Sequence, residues 1–411
     1  MRRVRVSSHQ SAVHKLGDSQ MKLSPKFRLA ITPPSSSFQS SSATSELEAP
    51  LELGPLIPGL PDDIALNCLL RLPVEAHLAC RLVCRRWHRL LANKEHFFSQ
   101  RKALRFRSPW LFTLAFHRWT GKIQWQVLDL THFSWHTIPA MPCKDRVCPC
   151  GFGCIAIPPQ DGALLVCGGL VSDMDCPLHS VLKYEIYKNR WTVMSRMLAA
   201  RSFFAAGVID GMVYVAGGYS KDQFELNSAE VLDPITGNWQ PIASMGRNMV
   251  SYDSAVLNGR LYTTEGCVWP FLSSPRGQVY DPRADRWEDM AVGMREGWTG
   301  SSVVVDGHLF VISEYERMRV KVYDVESDSW DIVDSSPMPE RIRKPFSVNS
   351  VGRRIFIVGR GLHVAVGHVE KCYSGFDGKA KKQRFSIQWQ DIDVPQEFGV
   401  LTSSSAQVLY A

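Results

Sequence analysis

The sequence predicts a multidomain protein in which a small all-α module precedes a large all-β domain of repeated sheets. Three observations lead to this prediction. A four-strand pattern containing a Gly doublet and a Trp recurs about every 48 residues in the C-terminal three quarters of the chain. Apolar spacing changes to a helical period before it, and no apolar periodicity precedes that helical stretch. We therefore expect a disordered tail over 1–54, a helical module and linker over 55–107, and the repeat domain over 108–411.

Composition narrows the choice of partners. The formal net charge of +7 lies in the N-terminal quarter of the chain, because 55–108 carry ten Lys/Arg against four Asp/Glu, whereas the residues after 108 carry 30 against 32. The near-neutral repeat domain argues against a nucleic-acid partner. No apolar run approaches the roughly 18 residues that span a bilayer, so no membrane partner is expected. Eleven cysteines without a secretory signal indicate a reducing compartment, the cytoplasm or the nucleus.

The Ser- and Arg-rich tail over 1–54 has two interpretations. Its composition is typical of a disordered segment. An excess of Ser and Arg, with only Asp18 acidic before Glu46, is also found in organelle transit peptides.

The helical module begins at Leu60-Pro61, where Asp62 and Asp63 suit the first turn of a helix. Apolar residues at helical spacing follow as far as Pro73, and a second helical pattern covers 74–100. About 45 residues bury too little surface to be robust alone. Such a module is expected to dock onto a partner through the apolar face that its own core does not use.

The order L-P-D-D-I-x(4)-L-x(2)-L-P, followed by L-x(4)-V-C-R-R-W, resembles the F-box. In that family the module docks on a Skp-type adaptor, which links it to a cullin scaffold and a ubiquitin-conjugating enzyme. The resemblance implies that adaptor binding falls on Leu60, Pro61, Ile64, Leu69, Pro73, Leu78, Val83, Cys84 and Trp87. A generic three-helix module would use its Leu, Val and Trp residues only for its own core, and its Arg residues would form a solvated face.

The stretch 201–245 defines the repeat of the β domain. Asp210-Gly211 predicts a tight hairpin turn, Gly217-Gly218 predicts a close backbone approach, and Trp239 starts the last strand. Equivalent hairpins start at Asp161, Asn258, Asp306 and Gly352. The tryptophans recur with the same period, at Trp135, Trp191, Trp239, Trp287, Trp330 and Trp389.

This pattern resembles the kelch repeat, and the resemblance implies a six-bladed β-propeller. The first repeat lacks its first strand, while a lone strand-like stretch, 399–409, follows the last Trp. We predict that 399–409 pairs with 111–116, completes the first blade and removes two exposed sheet edges.

Loops between blades are the expected place for a partner, because repeats form the scaffold and loops carry specificity. An Arg follows the last strand of most repeats, and its role is left open. It binds an acidic or phosphorylated segment of a partner, or it ties neighbouring blades together. The loop tip around Trp269, Pro270 and Phe271 either anchors an interface or folds back onto its blade. The substrate-face candidates are Arg201, Arg247, Arg295, Arg341, Tyr219, Trp269 and Phe271.

No chemistry of catalysis is evident. The sequence contains no GxSxG, P-loop or HExxH motif, and the spacing of Cys143, Cys148, Cys150 and Cys154 lacks the paired CxxC of zinc sites. We therefore expect no catalytic residue, no metal and no cofactor, with these cysteines as free thiols.

Together the two resemblances imply the non-catalytic substrate receptor of a cullin–RING ubiquitin ligase, an architecture abundant in plants. Its partners would be the adaptor and an unidentified substrate protein. The alternative is a propeller that binds or acts on a small molecule or metal, with the helical module as a dimerisation element.

Overall fold

The computed structural model separates the chain into two units, 1–53 and 54–411. It describes residues 54–72, 76–104, 106, 108–142, 147–157, 162–171, 176–266, 274–314, 318–374 and 382–410, all of which belong to the second unit. The tail predicted over 1–54 thus lies almost wholly outside the described residues.

Four helices form the N-terminal module. Their bounds are α1 Asp62–Arg71, α2 Ala76–Val83, α3 Arg85–Ala92 and α4 Lys94–Ala103. Leu69, Leu91 and Phe97 are fully buried in one cluster and make up its core.

The second helical pattern of the sequence is divided into three helices rather than one. Cys84 adopts an extended conformation, and its Sγ accepts a hydrogen bond from the Trp87 backbone N–H at 3.4 Å. The Asn93 Oδ1 accepts from the His96 N–H at 3.4 Å in the same way. Side-chain acceptors of this kind satisfy free N–H groups at a helix start, so the chain begins a new helix at both places.

Twenty-six β-strands among the described residues follow the helices. Their bounds are β1 Pro109–His117, β2 Ile123–Asp129, β3 Trp135–Thr137, β4 Val147–Ile157, β5 Ala163–Val171, β6 Cys176–Pro177, β7 Val181–Glu185, β8 Arg190–Val193, β9 Ala205–Ile209, β10 Met212–Ala216, β11 Ala229–Asp233, β12 Asn238–Ile242, β13 Asp253–Leu257, β14 Arg260–Thr264, β15 Gly277–Asp281, β16 Arg286–Asp289, β17 Gly300–Val305, β18 His308–Ser313, β19 Val320–Asp324, β20 Ser329–Ile332, β21 Asp334–Ser335, β22 Ser347–Val351, β23 Arg354–Val358, β24 Val364–Ser374, β25 Lys382–Ile392 and β26 Leu401–Tyr410. A fifth helix, α5, covers Val292–Gly297.

These strands form six sheets, the six blades of a β-propeller, each with four antiparallel strands; in addition β6 pairs with β5, and β21 adds a short parallel strand beside β25. Blade 1 is β26-β1-β2-β3, blade 2 is β4-β5-β7-β8, blade 3 is β9 to β12, blade 4 is β13 to β16, blade 5 is β17 to β20, and blade 6 is β22 to β25. The first strand of each blade contacts the first strand of the next, from β4 around to β22 and β26, so the ring is closed.

The closure occurs as predicted. β26 pairs antiparallel with β1, from Pro109 opposite Tyr410 to His117 opposite Leu401, with one irregularity after Leu114. The C-terminal strand therefore becomes the first strand of blade 1, and neither end of the array is left as an open sheet edge.

The repeated residues hold neighbouring blades together. The indole Nε1 of Trp287 donates to the Ala243 carbonyl of the preceding blade at 2.8 Å. Trp191 and Trp239 make the same bond to Pro139 and Ser195, at 2.8 and 3.2 Å. These tryptophans belong to the scaffold, because each packs its ring against its own blade and donates its one N–H to the preceding blade.

The predicted turns are also present. Asp210 and Gly211 both have positive φ, 48° and 80°, as a two-residue hairpin with the right twist requires. At Gly217, with φ of 67°, an added Cβ would lie 2.4 Å from the Met249 carbonyl oxygen. The Gly doublet is therefore needed where the loop between blades 3 and 4 crosses the sheet.

Candidate functional site

The helical module exposes a set of large apolar side chains. Leu82 is 87% exposed, Val83 61%, Ile64 47% and Leu60 38%. Exposed aliphatic side chains at this density on so small a module indicate a surface that a partner covers.

The F-box positions predicted from the sequence therefore divide into two groups. Leu60, Pro61, Ile64, Val83 and Cys84 are exposed. Leu69 is buried and Trp87 is half-buried, so these two residues support the surface from within. Pro73 and the Leu78 side chain lie outside the described residues. Leu82, the most exposed of these side chains, is not among the F-box positions that the resemblance implies, since spacing alone does not show which side of a helical stripe a partner contacts.

Polar contacts hold the start of α1 against α3. The Trp87 indole donates to the Leu56 carbonyl at 2.7 Å, and the Asp62 Oδ1 accepts from the Leu56 N–H at 2.8 Å. Asp62 also pairs with the Arg86 guanidinium. The Leu56 N–H and then Arg86 lower the pKa of Asp62, so the carboxylate stays ionised and the pair persists at neutral pH.

The propeller contains a central cavity of about 850 Å³. Residues from all six blades line it. The aromatic residues of the lining include Phe116, Phe152, Phe203, Tyr252 and Phe346. Its serine hydroxyl groups come from Ser251, Ser254, Ser301, Ser302, Ser347, Ser403, Ser404 and Ser405.

Charged groups of blades 4, 5 and 6 meet at this cavity. The Lys344 Nζ lies 3.1 Å from the Glu314 Oε2, and the Tyr252 hydroxyl donates to the same carboxylate. Asp253 also lines the cavity, where its Oδ2 accepts from the Trp298 Nε1 at 3.0 Å and from the Ser302 N–H at 2.7 Å. Burial raises the pKa of Asp253 to about 6, although these hydrogen bonds act in the opposite direction and lower it. No local pattern predicts this cavity, because its lining residues come from every blade.

Two roles were considered for the interblade arginines, partner binding and tying blades together, and Arg201 has the second. Its side chain is fully buried, and its Nη2 lies 2.6 Å from the Glu230 Oε1. Its Nη1 donates to the carbonyls of Gly217 and Ser228 at 2.7 and 3.0 Å. Arg201 therefore does not reach the surface where a partner would dock.

The arginines that looked equivalent in sequence do not all occupy equivalent positions. The Arg201 carbonyl accepts from the Gly169 N–H at 3.1 Å, and the corresponding carbonyl for Gly218 belongs to Met249, at 2.9 Å. Arg201 thus corresponds to Met249, not to Arg247, which lies two residues earlier. Interblade loops differ in length, so a shared Arg in the sequence does not imply a shared place.

The other candidates are more accessible. Arg247 and Arg295 line one cavity of about 310 Å³ together with Arg276. The Arg247 Nη2 is 3.7 Å from the Asp289 Oδ2, whereas Glu265 and Glu225 hold Arg276 and raise its pKa.

Arg341 and Tyr219 lie elsewhere. Arg341 is 62% exposed, with its Nη1 3.7 Å from the Asp391 Oδ2. Tyr219 lines a cavity of about 240 Å³ with Phe203, Leu170 and Pro177. Trp269 and Phe271 lie outside the described residues. Phe203 was missed because it reads as part of the first strand, although its φ of 53° places it in a turn.

Two further absences concern only the part of the chain that the structure describes. No group of three or more His, Cys, Asp or Glu side chains in it has the geometry of a metal site. No helix in it is long and apolar enough to cross a membrane. Cys143 and the side chains of Cys148 and Cys150 lie outside the described residues.

Comparison with known proteins agrees with this architecture. The F-box domain family matches residues 57–99, and the family described as FKB95, Kelch-repeats domain, matches residues 164–360. The chain is similar to F-box/kelch-repeat protein At1g30090 of Arabidopsis thaliana, with 54% identity over 411 residues and 100% of both chains. It is also similar to F-box protein AFR of the same plant, with 36% identity over 370 residues, 89% of this chain and 95% of that protein. The chain therefore belongs to the plant F-box/kelch-repeat protein family.

Proposed function

We propose that this chain is the substrate-recognition subunit of an SCF-type ubiquitin ligase. Its F-box would bind a Skp-type adaptor, and through it a cullin scaffold, while its propeller would bind the protein to be ubiquitinated. The observation that supports this most directly is the exposure of Leu60, Ile64, Leu82 and Val83 on a module of the F-box family.

The exposed residues have a clear energetic consequence. Fully burying one Leu, Ile or Val side chain contributes roughly 1.5–3 kcal/mol. Four such side chains on one small module would supply much of the affinity of a stable interface, and a polar rim around them would set its orientation. In a chain left alone they would instead face water.

The proposed role requires no reactive group in this chain. A receptor accelerates ubiquitin transfer by holding its target near the ubiquitin-conjugating enzyme that carries the ubiquitin, so catalysis comes from proximity. We accordingly propose a non-catalytic subunit that works in the cytoplasm, the nucleus or both. The central cavity and the loops around it are the face on which we place the target.

The test is a pull-down of the full chain with a purified Skp-type adaptor. We expect wild type to be retained and Leu60→Ala/Pro61→Ala to lose most of its binding. The control is Ile235→Ala, which removes an apolar side chain that is 88% exposed on blade 3 and should leave binding unchanged. Full retention of the Leu60/Pro61 variant, or no retention of wild type, would contradict the proposal. Dimers formed by a wild type that binds no adaptor would support the dimerisation alternative.

A further inference from the structure

We propose that the junction of blades 2 and 3 binds a segment of a partner protein carrying a phosphorylated serine or threonine beside an apolar side chain. This inference rests on the proposed function in one respect: the partner is a ubiquitination target only if the chain is a ligase receptor. The binding site itself follows from two cavities on either side of the loop that connects β10 and β11, over 219–226. The two cavities share Ser220.

The first cavity, of about 510 Å³, is cationic. Arg196, Lys221 and His179 line it, with Asp222 as the acidic residue among its lining side chains. Within the described part of the chain, neither Arg196 nor Lys221 has an ion-pair partner. The pKa of His179 is lowered, first by burial and then by the positive charges of Arg196 and Lys221. Arg196 and Lys221 are therefore both close enough to His179 to disfavour its protonated form, and they line the same cavity.

The second cavity, of about 240 Å³, has apolar walls on one part of its lining. Leu170, Pro177, Phe203 and Tyr219 supply these walls, and Ser202, Ser220 and Gln223 complete the lining. The rings of Phe203 and Tyr219 meet edge to face with centroids 6.4 Å apart. Phe203 is 38% exposed, and its positive φ is unusual for a bulky residue. Such conformations are found at ligand sites, where surrounding hydrogen bonds hold them.

Those hydrogen bonds are present. The Phe203 N–H donates to the Gly151 carbonyl at 3.1 Å, and its own carbonyl accepts from the Ser251 N–H at 2.9 Å. Blades 2 and 4 thus hold the backbone that presents this ring.

Both loops that form the cationic cavity are anchored on the same buried pair. The Glu230 carboxylate accepts from the N–H groups of Leu198 and Ala199 at 2.6 and 3.1 Å. Arg201, its partner, binds the carbonyls of Gly217 and Ser228, which flank the 219–226 loop. Because the site is held before a ligand arrives, less ordering entropy is lost on binding.

Charge favours a phosphate over a carboxylate. A phosphorylated side chain carries about −1.5 to −2 at neutral pH and presents three acceptor oxygens. Arg196 and Lys221 supply two permanent cations, and His179, neutral at this pH, has one ring N–H donor. A carboxylate carries only one negative charge and two acceptor oxygens, so it would make fewer charge-assisted hydrogen bonds to Arg196 and Lys221. Arginine and lysine together are the side chains that proteins use for this recognition.

The test begins with the immobilised full chain and two peptide libraries, which have a central phosphoserine or a central serine and the same randomised flanks. We expect enrichment of the phosphorylated library, with an apolar residue selected within a few positions of the phosphate. A selected peptide is then measured by fluorescence anisotropy against variants whose melting temperatures match wild type. Arg196→Gln/Lys221→Gln should weaken binding about tenfold or more, and Tyr219→Ala or Phe203→Gly should weaken it less. Glycine at 203 keeps the positive φ while removing the ring.

The matched control is Arg286→Gln, at an arginine that is 63% exposed and paired with Glu288 on blade 4. It should bind the peptide like wild type. Equal affinity for a glutamate peptide would overturn the assignment of phosphate, and equal recovery of both libraries would overturn the site. Adaptor pull-down with the same variants separates the two proposals. A variant that loses peptide binding and still binds the adaptor tests the phosphopeptide site alone, and the proposed receptor function is unaffected.

Discussion

Arg201 and Glu230 form an ion pair of 2.6 Å that is almost wholly shielded from water, with 0% and 2% of their side chains exposed. The pair joins the loop after β8 to the two ends of the loop between β10 and β11. Blade 4 has Met249 and Gln278 at the corresponding places, and there the Gln278 Oε1 accepts the Gly246 N–H at 3.1 Å. The same fold position is thus filled once by charges and once by a neutral pair.

Arg201→Met should lower the free energy of unfolding by about 3–5 kcal/mol, because it leaves the Glu230 carboxylate buried without its cation. The double variant Arg201→Met/Glu230→Gln copies blade 4 and should recover most of that loss. Urea denaturation followed by tryptophan fluorescence measures both. A double variant no more stable than the single one would show that blade 3 needs the charges themselves.

Removing the C-terminal strand should destroy the propeller. A chain that ends at residue 398 lacks β26, which pairs with β1 along its length, and it would expose the edges of a sheet whose Phe112 and Leu114 are fully buried. We expect insoluble protein or a loss of cooperative unfolding in calorimetry. A chain that lacks only Ala411 serves as control and should behave as wild type. Soluble, cooperatively unfolding protein from the shorter chain would contradict the closure argument.

Charge on the exposed face of the F-box should abolish adaptor binding without affecting the fold. Leu82→Glu places a carboxylate on a side chain that is 87% exposed, so the free energy of unfolding should change by less than about 0.5 kcal/mol. In a buried interface the same carboxylate would be unpaired, and the adaptor affinity should fall by at least about a hundredfold. Isothermal titration calorimetry measures the affinity for the adaptor, and thermal unfolding measures the stability of the variant. Leu69→Ala, in the module core, should show the opposite pattern, with lower stability and affinity retained below its melting temperature.

The stability contributed by Asp253 should depend on pH. Its pKa in the folded protein, about 6, lies above its ordinary value of 3.8, so the folded state holds the proton over an interval in which the unfolded chain has lost it. The favourable contribution is therefore lost as pH rises through that interval, and the cost is complete above pH 6. Asp253 is only partly buried, because it lines the water-accessible central cavity, so we expect a cost of about 1 kcal/mol.

Asp253→Asn removes this titration and keeps an acceptor for Trp298 and Ser302. The variant should match wild type near pH 4 and exceed it by about 1 kcal/mol near pH 7.5. Urea denaturation across that range measures the difference. A constant difference at all pH values would mean that Asp253 titrates normally.

Local sequence determined a large part of this protein. Two-residue turns such as Asp210-Gly211 require positive φ, alternating apolar residues require a sheet with one covered face, and the repeat of both predicts identical blades. Even ring closure was predictable, since the missing first strand of one repeat and the surplus strand after Trp389 have one common solution. The F-box was recognisable because the order L-P-D-D-I and the later V-C-R-R-W are both contained in short local stretches of sequence.

The tertiary structure alone decided which residues a partner can reach. Arg201 and Arg247 are alike in sequence, yet burial and loop length place one inside the scaffold and leave the other 62% exposed. Leu69 and Leu82 are both apolar helix residues, and only packing shows that the first is core and the second is surface. The central cavity and the cavity that Arg196 and Lys221 share are both lined by residues from different blades or loops. A local pattern cannot encode such a juxtaposition, because it depends on the distance between chain segments after the ring has closed.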